Sequence, residues 1–309
     1  MEQSLYLMKV LDHGRKSMKN KYRLTSTVYD REQESDKVKP LKIYFISVEG
    51  NATEKEYFDG ISKNRMKLGI NAKVNVEVLR RAGKDTNSAP EQVVELLEEY
   101  LSLRQEGKED MLNDIPTEFR ELYTDEFIQT YLNCPEEIPR KQRNKFCTDL
   151  KKIGYDINYR KYLATYQQDM DEFCVMIDRD MHTHSETNMS DCIEHCRKEG
   201  YRCFIANPCF EFWLLLHLTD VRSEYNLDDI KKNEKMSGAH TFVSKEVSKK
   251  AGHGKSGINF ERNYLPKINM AVERAKEFAS EEDQLIDDIG CNLWKLIEDM
   301  QSFKQEDIN

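Results

Sequence analysis

The chain has 309 residues, 39% hydrophobic and 33% charged, with a formal net charge of −9. That length can bury one substantial core and a smaller second lobe, while the polarity excludes a membrane protein. No apolar run reaches the roughly 18 residues a membrane span needs and the N-terminus lacks a signal-peptide core, so a cytoplasmic protein is expected. The 8 cysteines show no paired CxxC spacing and read as reduced thiols rather than a disulfide framework. Net acidity argues against indiscriminate nucleic-acid binding, yet the charge is segregated. From Glu91 to Glu137 there are 14 acids against 3 bases, and from Arg140 to Lys161 there are 8 bases against 2 acids.

The first forty residues carry 9 bases and 6 acids and read as a basic arm, strand-like around Leu24 to Val28. It is either a solvated tail or an arm that touches phosphates. Leu41 to Val48 is β-branched and aromatic, which predicts a buried first strand ended by Glu49 and Gly50. Thr53 followed three residues later by Glu56 predicts a capping box, and with it a helix from about Glu54 to Lys67 with Tyr57, Phe58 and Ile61 inward. Ala72 to Leu79 alternates as a second strand. Pro90 to about Arg104 is an amphipathic helix burying Val93, Val94, Leu97 and Leu101. This βαβα rhythm predicts a parallel sheet with right-handed crossovers.

The rhythm stops at residues 105–169, which read as two or three helices broken by Pro116, Pro135 and Pro139, an insertion projecting from the sheet. Its basic half holds Arg140, Lys141, Arg143, Lys145, Lys151, Lys152, Arg160 and Lys161, interleaved with Phe146, Tyr155, Tyr159 and Tyr162. Such a mixture suits a surface where bases stack and phosphates pair. The aromatics equally suit a small core for the insertion, the favoured reading, which still leaves the basic face open to a polyanion.

A third strand, Glu172 to Ile177, runs into Asp178-Arg179-Asp180. A helix from Ser190 stops at Gly200, and Tyr201 to Ala206 forms a fourth strand. Asn207 and Pro208 suit the N-cap and first position of a helix from Cys209 to Leu218, with Phe210, Trp213 and Leu214 inward and Glu211 in its first turn. Beyond Thr219 the chain is polar and lysine-rich to Gly257. Two helices close it, about Asn263 to Phe278 and Asp283 to Met300, the second with Leu285, Ile289, Leu293, Leu296 and Ile297 on one stripe. The expected architecture is α/β, with a largely parallel four-stranded sheet flanked by helices. It divides into an arm (1–40), a sheet domain in two parts (41–104 and 170–218), a helical insertion (105–169) and a C-terminal helical extension (219–309).

In an open parallel sheet, chemistry sits beyond the carboxyl ends of the strands. Asp178 and Asp180 are two apart, so along a continuing strand they share a face and repel unless a cation lies between them. They are candidate ligands for Mg²⁺ or Mn²⁺, an ion that carboxylates hold together with a substrate phosphate. Glu49, at the neighbouring strand end, would complete the metal shell or act as general acid or base. His182, two residues after Asp180, is a candidate hydrogen-bond partner there or a phosphate contact. Zinc is not expected, because His182, His184, Cys192, His195 and Cys196 fit no common spacing. His217 lies on an apolar helix and reads as a satisfied core histidine. Gly252 to Ser256 lacks the phosphate-loop spacing, leaving Lys255 as a candidate phosphate contact.

Three blocks in order, Val48 to Phe58, Ile177 to His182 and Asn207 to His217, resemble the RloB family of Toprim-domain proteins. The resemblance implies a Toprim fold, shared with topoisomerases, primases and OLD-type nucleases, in a phage-defence setting with an AAA/ABC-type ATPase as partner. It adds Glu54 and Glu211 as catalytic candidates and puts Lys255 near an expected basic position, whereas Asp288 to Trp294 departs from the family's Asn-Pro-x-Thr pattern. The function it implies is a metal-dependent nuclease that cuts RNA, such as tRNA, or DNA as an antiphage effector. The alternative is a non-catalytic subunit that binds nucleic acid or a nucleotide and docks on the ATPase through the acidic surface from 91 to 137. Either reading involves no membrane and allows a homo-oligomer.

Overall fold

The computed structural model describes residues 40–50, 52–79, 89–115, 117–153, 155–163, 170–238, 240–252 and 257–304. The basic arm up to residue 39 and Lys255 lie outside the described residues. The chain forms two compact units.

The larger unit is built on a sheet of β1 (Lys42–Val48), β2 (Val74–Val78), β3 (Glu172–Asp178), β4 (Arg202–Asn207) and β5 (Gly290–Cys291), in the order β2-β1-β3-β4-β5. The first four strands run parallel, and β5 pairs antiparallel with β4. The four expected strands are present and parallel, but the sheet is five-stranded and mixed, a correction to the largely parallel four-stranded sheet expected.

The fifth strand lies inside the stretch Asp283 to Met300 whose apolar spacing reads as one helix. Leu285, Leu293, Leu296 and Ile297 are buried as that stripe predicts. Two residues divert the backbone between them. Gly290 lies so close to the Ala279 backbone that a Cβ would overlap it. The Asn292 side chain accepts from the Ile205 N–H at 2.7 Å and donates to the Cys203 carbonyl at 3.0 Å, extending the ladder along β4. The helix starts only afterwards, at Leu293.

Strand alternation divides the residues between two faces. Tyr44, Ile46 and Val48 of β1, Val76 of β2, Met176 of β3 and Phe204 of β4 join one continuous core. That core includes α1 (Thr53–Asn64), and later in the chain Trp213, Ala271 and Leu296 from the helices that follow β4. On the other face Ser47 donates to the Val93 carbonyl at 2.6 Å, tying β1 to the first turns of α2 (Pro90–Asp114). Burial on both faces explains the unbroken apolar run of β1.

Among the described residues the smaller unit falls within Glu98–Gln167. After α2 it contains α3 (Thr117–Leu122), α4 (Asp125–Asn133), α5 (Arg140–Lys152) and α6 (Ile157–Leu163). Phe146 is sealed inside it, with the rings of Tyr123, Phe127 and Tyr131 at 4.8, 5.3 and 5.1 Å. Tyr155 and Tyr159 are buried as well. These rings are the insertion's core rather than platforms for bases, and the side chain of Tyr162 lies outside the described residues. Two of the eight bases are structural. Arg160 is buried between Glu99 and Asp114 and stacks 4.7 Å from the Tyr155 ring, and Lys161 donates to the Tyr131 carbonyl at 3.1 Å. Lys151 and Lys152 pair with the buried Asp156 and Asp149 at 2.9 and 2.8 Å, and Lys145 stands 3.9 Å from Asp149. Arg140 and Lys141 are exposed at the start of α5, with Arg143 half-buried behind them.

Candidate active site

Chain order reverses between β1 and β3, since β2 lies on one side of β1 and β3 and β4 on the other. Beyond the carboxyl ends of the strands, such a reversal opens the crevice in which parallel sheets bind ligands. Glu49 follows β1 and Asp178 ends β3 at this point. They are directly linked, because Glu49 Oε2 accepts the Asp178 backbone N–H at 3.3 Å.

Asp178 in turn organises the next helix, α8 (Phe210–Leu218; α7 is Glu186–Glu199). Asn207 is not the N-cap that its residue type suggests: it closes β4, and its side chain donates to the Leu285 carbonyl at 2.9 Å. The N-cap position falls to Cys209, whose side chain makes no cap bond. The missing acceptor is Asp178 Oδ1, which takes the Phe210 N–H at 2.8 Å. A carboxylate from a neighbouring strand thus satisfies an orphan donor at the positive end of the helix and brings Glu211, the next residue, to the same crevice.

The helix α1 supplies the fourth acid. Its predicted capping box does not form: the N-cap position is Ala52 without a side-chain bond, and the Glu56 carboxylate instead accepts the N–H groups of Gly257 and Ile258, both at 2.8 Å. Glu54, buried, turns back to accept the Gly50 N–H at 2.9 Å. Its carboxylate lies against the Gly50 Cα, where a Cβ would overlap it. Gly50→Ala is expected to cost about 1–3 kcal/mol through overpacking, measured as a shift in denaturation midpoint. The cost should largely vanish when Glu54→Ala is added, since the two changes share one contact. A Gly50→Ala protein as stable as the parent would contradict this packing.

Glu49, Glu54, Asp178 and Glu211 therefore meet at one rim and feel one another's charge. Burial, then Glu211 and Glu49, push the Glu54 carboxyl up to about 7. Burial, then Glu49, Glu54 and Glu211, hold Asp178 well above the usual carboxylate range. Carboxyls that repel each other into binding protons are the kind a divalent cation discharges, and an all-oxygen donor set suits a hard ion such as Mg²⁺. As placed, no group of three or more His, Cys, Asp or Glu among the described residues stands ready to hold a metal.

Asp180 lies two residues beyond the end of β3. The strand ends at Asp178, so the shared-face argument for the two aspartates does not apply. Asp180 sits in a turn at φ 22°, donates its N–H to the Pro208 carbonyl at 3.0 Å, and accepts the His182 N–H on Oδ1 at 3.2 Å. The exposed His182 ring lies with Nε2 2.8 Å from the Lys232 carbonyl. The histidine that faces an acid of the rim is His184, with Nε2 3.6 Å from Glu49 Oε1. Glu49 raises its pKa, against the opposing effect of burial, and Asp180 and Glu91 add to the rise. Nothing in the spacing of His184 marks it out.

The family model for RloB-like protein matches residues 44–300, which run from β1 into the last helix and include every acid of the rim. The chain belongs to the RloB-like family. No curated protein and no solved structure matches it. Elsewhere in this RloB-like chain, His217 is a satisfied core residue as its position suggests. Its Nδ1 lies 2.9 Å from the Trp213 carbonyl and its Nε2 3.2 Å from the Tyr57 hydroxyl, and burial pushes its pKa down to about 3, leaving it neutral. Cys192 and Cys196 are buried free thiols on α7. Among the described residues no helix is long and apolar enough to cross a membrane.

Proposed function

We propose that this RloB-like protein is a Mg²⁺- or Mn²⁺-dependent nuclease with a Toprim-like sheet, cutting RNA such as tRNA, or DNA, as a cytoplasmic effector of antiphage defence. The observation that carries the reading is the bond between Glu49 and the Asp178 N–H at the switch point, with Glu54 and Glu211 drawn to the same rim. In this reading Asp178, Asp180 and Glu49 would hold the metal, which when bound would supply charge neutralisation at the scissile phosphate and activation of the attacking oxygen. Glu54, its carboxyl pushed up to about 7 by burial and by the charges of Glu211 and Glu49, is suited to hand a proton to a leaving oxygen. Arg140, Lys141, Arg143, Lys145, Lys151 and Lys152, together with His182 and Lys255, supply phosphate contacts. Such contacts make binding fall steeply with salt.

A second reading, a non-catalytic subunit that binds nucleic acid or a nucleotide and docks on an AAA/ABC-type ATPase, draws on one observation: as placed, no three ligands are gathered for a metal among the described residues. One assay separates the two. Purified protein is incubated with Mg²⁺ or Mn²⁺ and mixed DNA and RNA, alone and with the ATPase, beside Glu49→Gln. Metal-dependent cleavage lost in the variant is the expected result. A protein that shifts nucleic acid on a gel but cuts none under any condition would overturn the nuclease reading in favour of the binding subunit.

A further inference from the structure

His184 contributes nothing to the fold's hydrogen-bond ladder through its ring, yet the ring is buried. Its side chain is 6% exposed, and Nε2 is sealed from solvent with no hydrogen-bond partner among the described residues. A buried ring nitrogen in that condition is costly to leave unpaired. Glu49 Oε1 lies 3.6 Å from it, too long for a hydrogen bond but a short movement away from one.

The backbone beneath the ring is fixed from two directions. The His184 N–H donates to the Asp180 carbonyl at 2.9 Å, and its own carbonyl accepts from Arg179 Nη1 at 2.7 Å. Arg179 is itself buried, its backbone N–H on the Ala206 carbonyl at 2.9 Å and its Nε on the Ile286 carbonyl at 2.5 Å. A guanidinium with its charge spread over two carbonyls is costly to bury, and here it locks the turn that carries His184 to the end of β3. The ring is thus aimed at one oxygen of Glu49 while the Asp178 N–H holds the other.

We infer that His184 is a positioning residue that fixes the orientation of the Glu49 carboxylate from the side opposite the Asp178 N–H, with Arg179 as its anchor. The contact is independent of what Glu49 binds; the consequence for metal affinity rests on the nuclease reading above. Groups that orient a metal-binding carboxylate through its other oxygen affect affinity about 10–100-fold when removed.

The test uses the full chain labelled with ¹⁵N-aspartate, comparing His184→Leu, which removes the donor at similar volume, with His184→Gln, which returns an N–H near the position of Nε2. The Asp178 amide resonance reports whether Glu49 is still held. It should move in His184→Leu and return towards the parent position in His184→Gln, and Mn²⁺ affinity measured by calorimetry should fall about tenfold in the first and recover in the second. If the Leu variant does not fold, Glu49→Gln reads the same contact from the other partner, and the His184 ring Hε1 resonance should shift. An unmoved Asp178 amide in His184→Leu, or an unmoved His184 ring in Glu49→Gln, overturns the inference. An amide that moves and recovers while Mn²⁺ affinity stays flat, or is absent in the parent, upholds His184 as the holder of Glu49 and removes the metal from the reading instead.

Discussion

Asp178→Asn is expected to leave the protein folded, at least as stable as the parent at pH 8, and without metal-dependent cleavage. Asp178 has two separable roles. Its Oδ1 caps α8 through the Phe210 N–H, and its charge belongs to the acidic rim. Asparagine keeps a carbonyl oxygen for the cap and discards a charge that burial and three neighbouring acids disfavour, so the fold loses nothing and sheds repulsion. Alanine discards both, and loss of a cap costs about 1 kcal/mol, which alanine offsets in part by the same relief of repulsion. Cleavage should fall in both variants by at least about a hundredfold, the equivalent of some 3 kcal/mol of transition-state stabilisation, a modest share of what a metal supplies at a phosphate. The measurement pairs initial rates with denaturation midpoints. An Asp178→Asn protein that folds and cuts at the parent rate would remove Asp178 from the metal site.

Glu54 predicts a pH profile for stability. Its carboxyl is pushed from the ordinary 4.5 up to about 7 in the folded chain. Below the ordinary value both folded and unfolded chains hold the proton and the group has no effect. As pH rises from there the unfolded chain releases its proton while the folded chain keeps it, so stability falls, and the loss is complete only above about 7. The full difference is on the order of 3 kcal/mol. Glu54→Gln should therefore match the parent near pH 4 and exceed it at pH 8, keeping its acceptor for the Gly50 N–H throughout. A divalent ion bound by the rim should raise the parent's midpoint at pH 8 more than at pH 5, because proton and ion compete for the same oxygens. Identical pH profiles for parent and Glu54→Gln would show that Glu54 is an ordinary carboxylate.

The larger elements were legible in the sequence because their signals are local. The apolar run of β1, the alternation of β2 and the glycine that stops α7, Gly200 at φ 78°, are read from neighbouring residues alone. What could not be read depends on groups distant along the chain. Ser185 caps α7, accepting the Asn188 N–H at 3.1 Å, five residues before the start that apolar spacing suggests. The cap of α8 comes from Asp178 across the sheet, which no N-cap rule finds, and Glu56 spends its carboxylate on residues 257 and 258 instead of its own helix. The helical stripe from Leu285 to Ile297 hides an edge strand because burial alone does not distinguish the two; the diagnostic residues were Gly290 and Asn292. At the rim, Glu49 and Asp178 follow from the rule that sites lie beyond strand ends. Glu54 and Glu211 needed the family resemblance, and their convergence shows only when α1 and α8 are placed. His184 left no mark in the spacing, since its significance lies in an unpartnered ring nitrogen.

The acids gathered at the β1–β3 switch point are expected to form a divalent-cation site. Calorimetry of Mn²⁺ binding at pH 7, repeated in two buffers of different ionisation enthalpy, tests it most directly. One saturable ion should bind with release of the proton that Asp178 holds, and both binding and proton release should be lost in Asp178→Ala. No saturable binding in the parent, or binding that survives Asp178→Ala with no proton released, would contradict it.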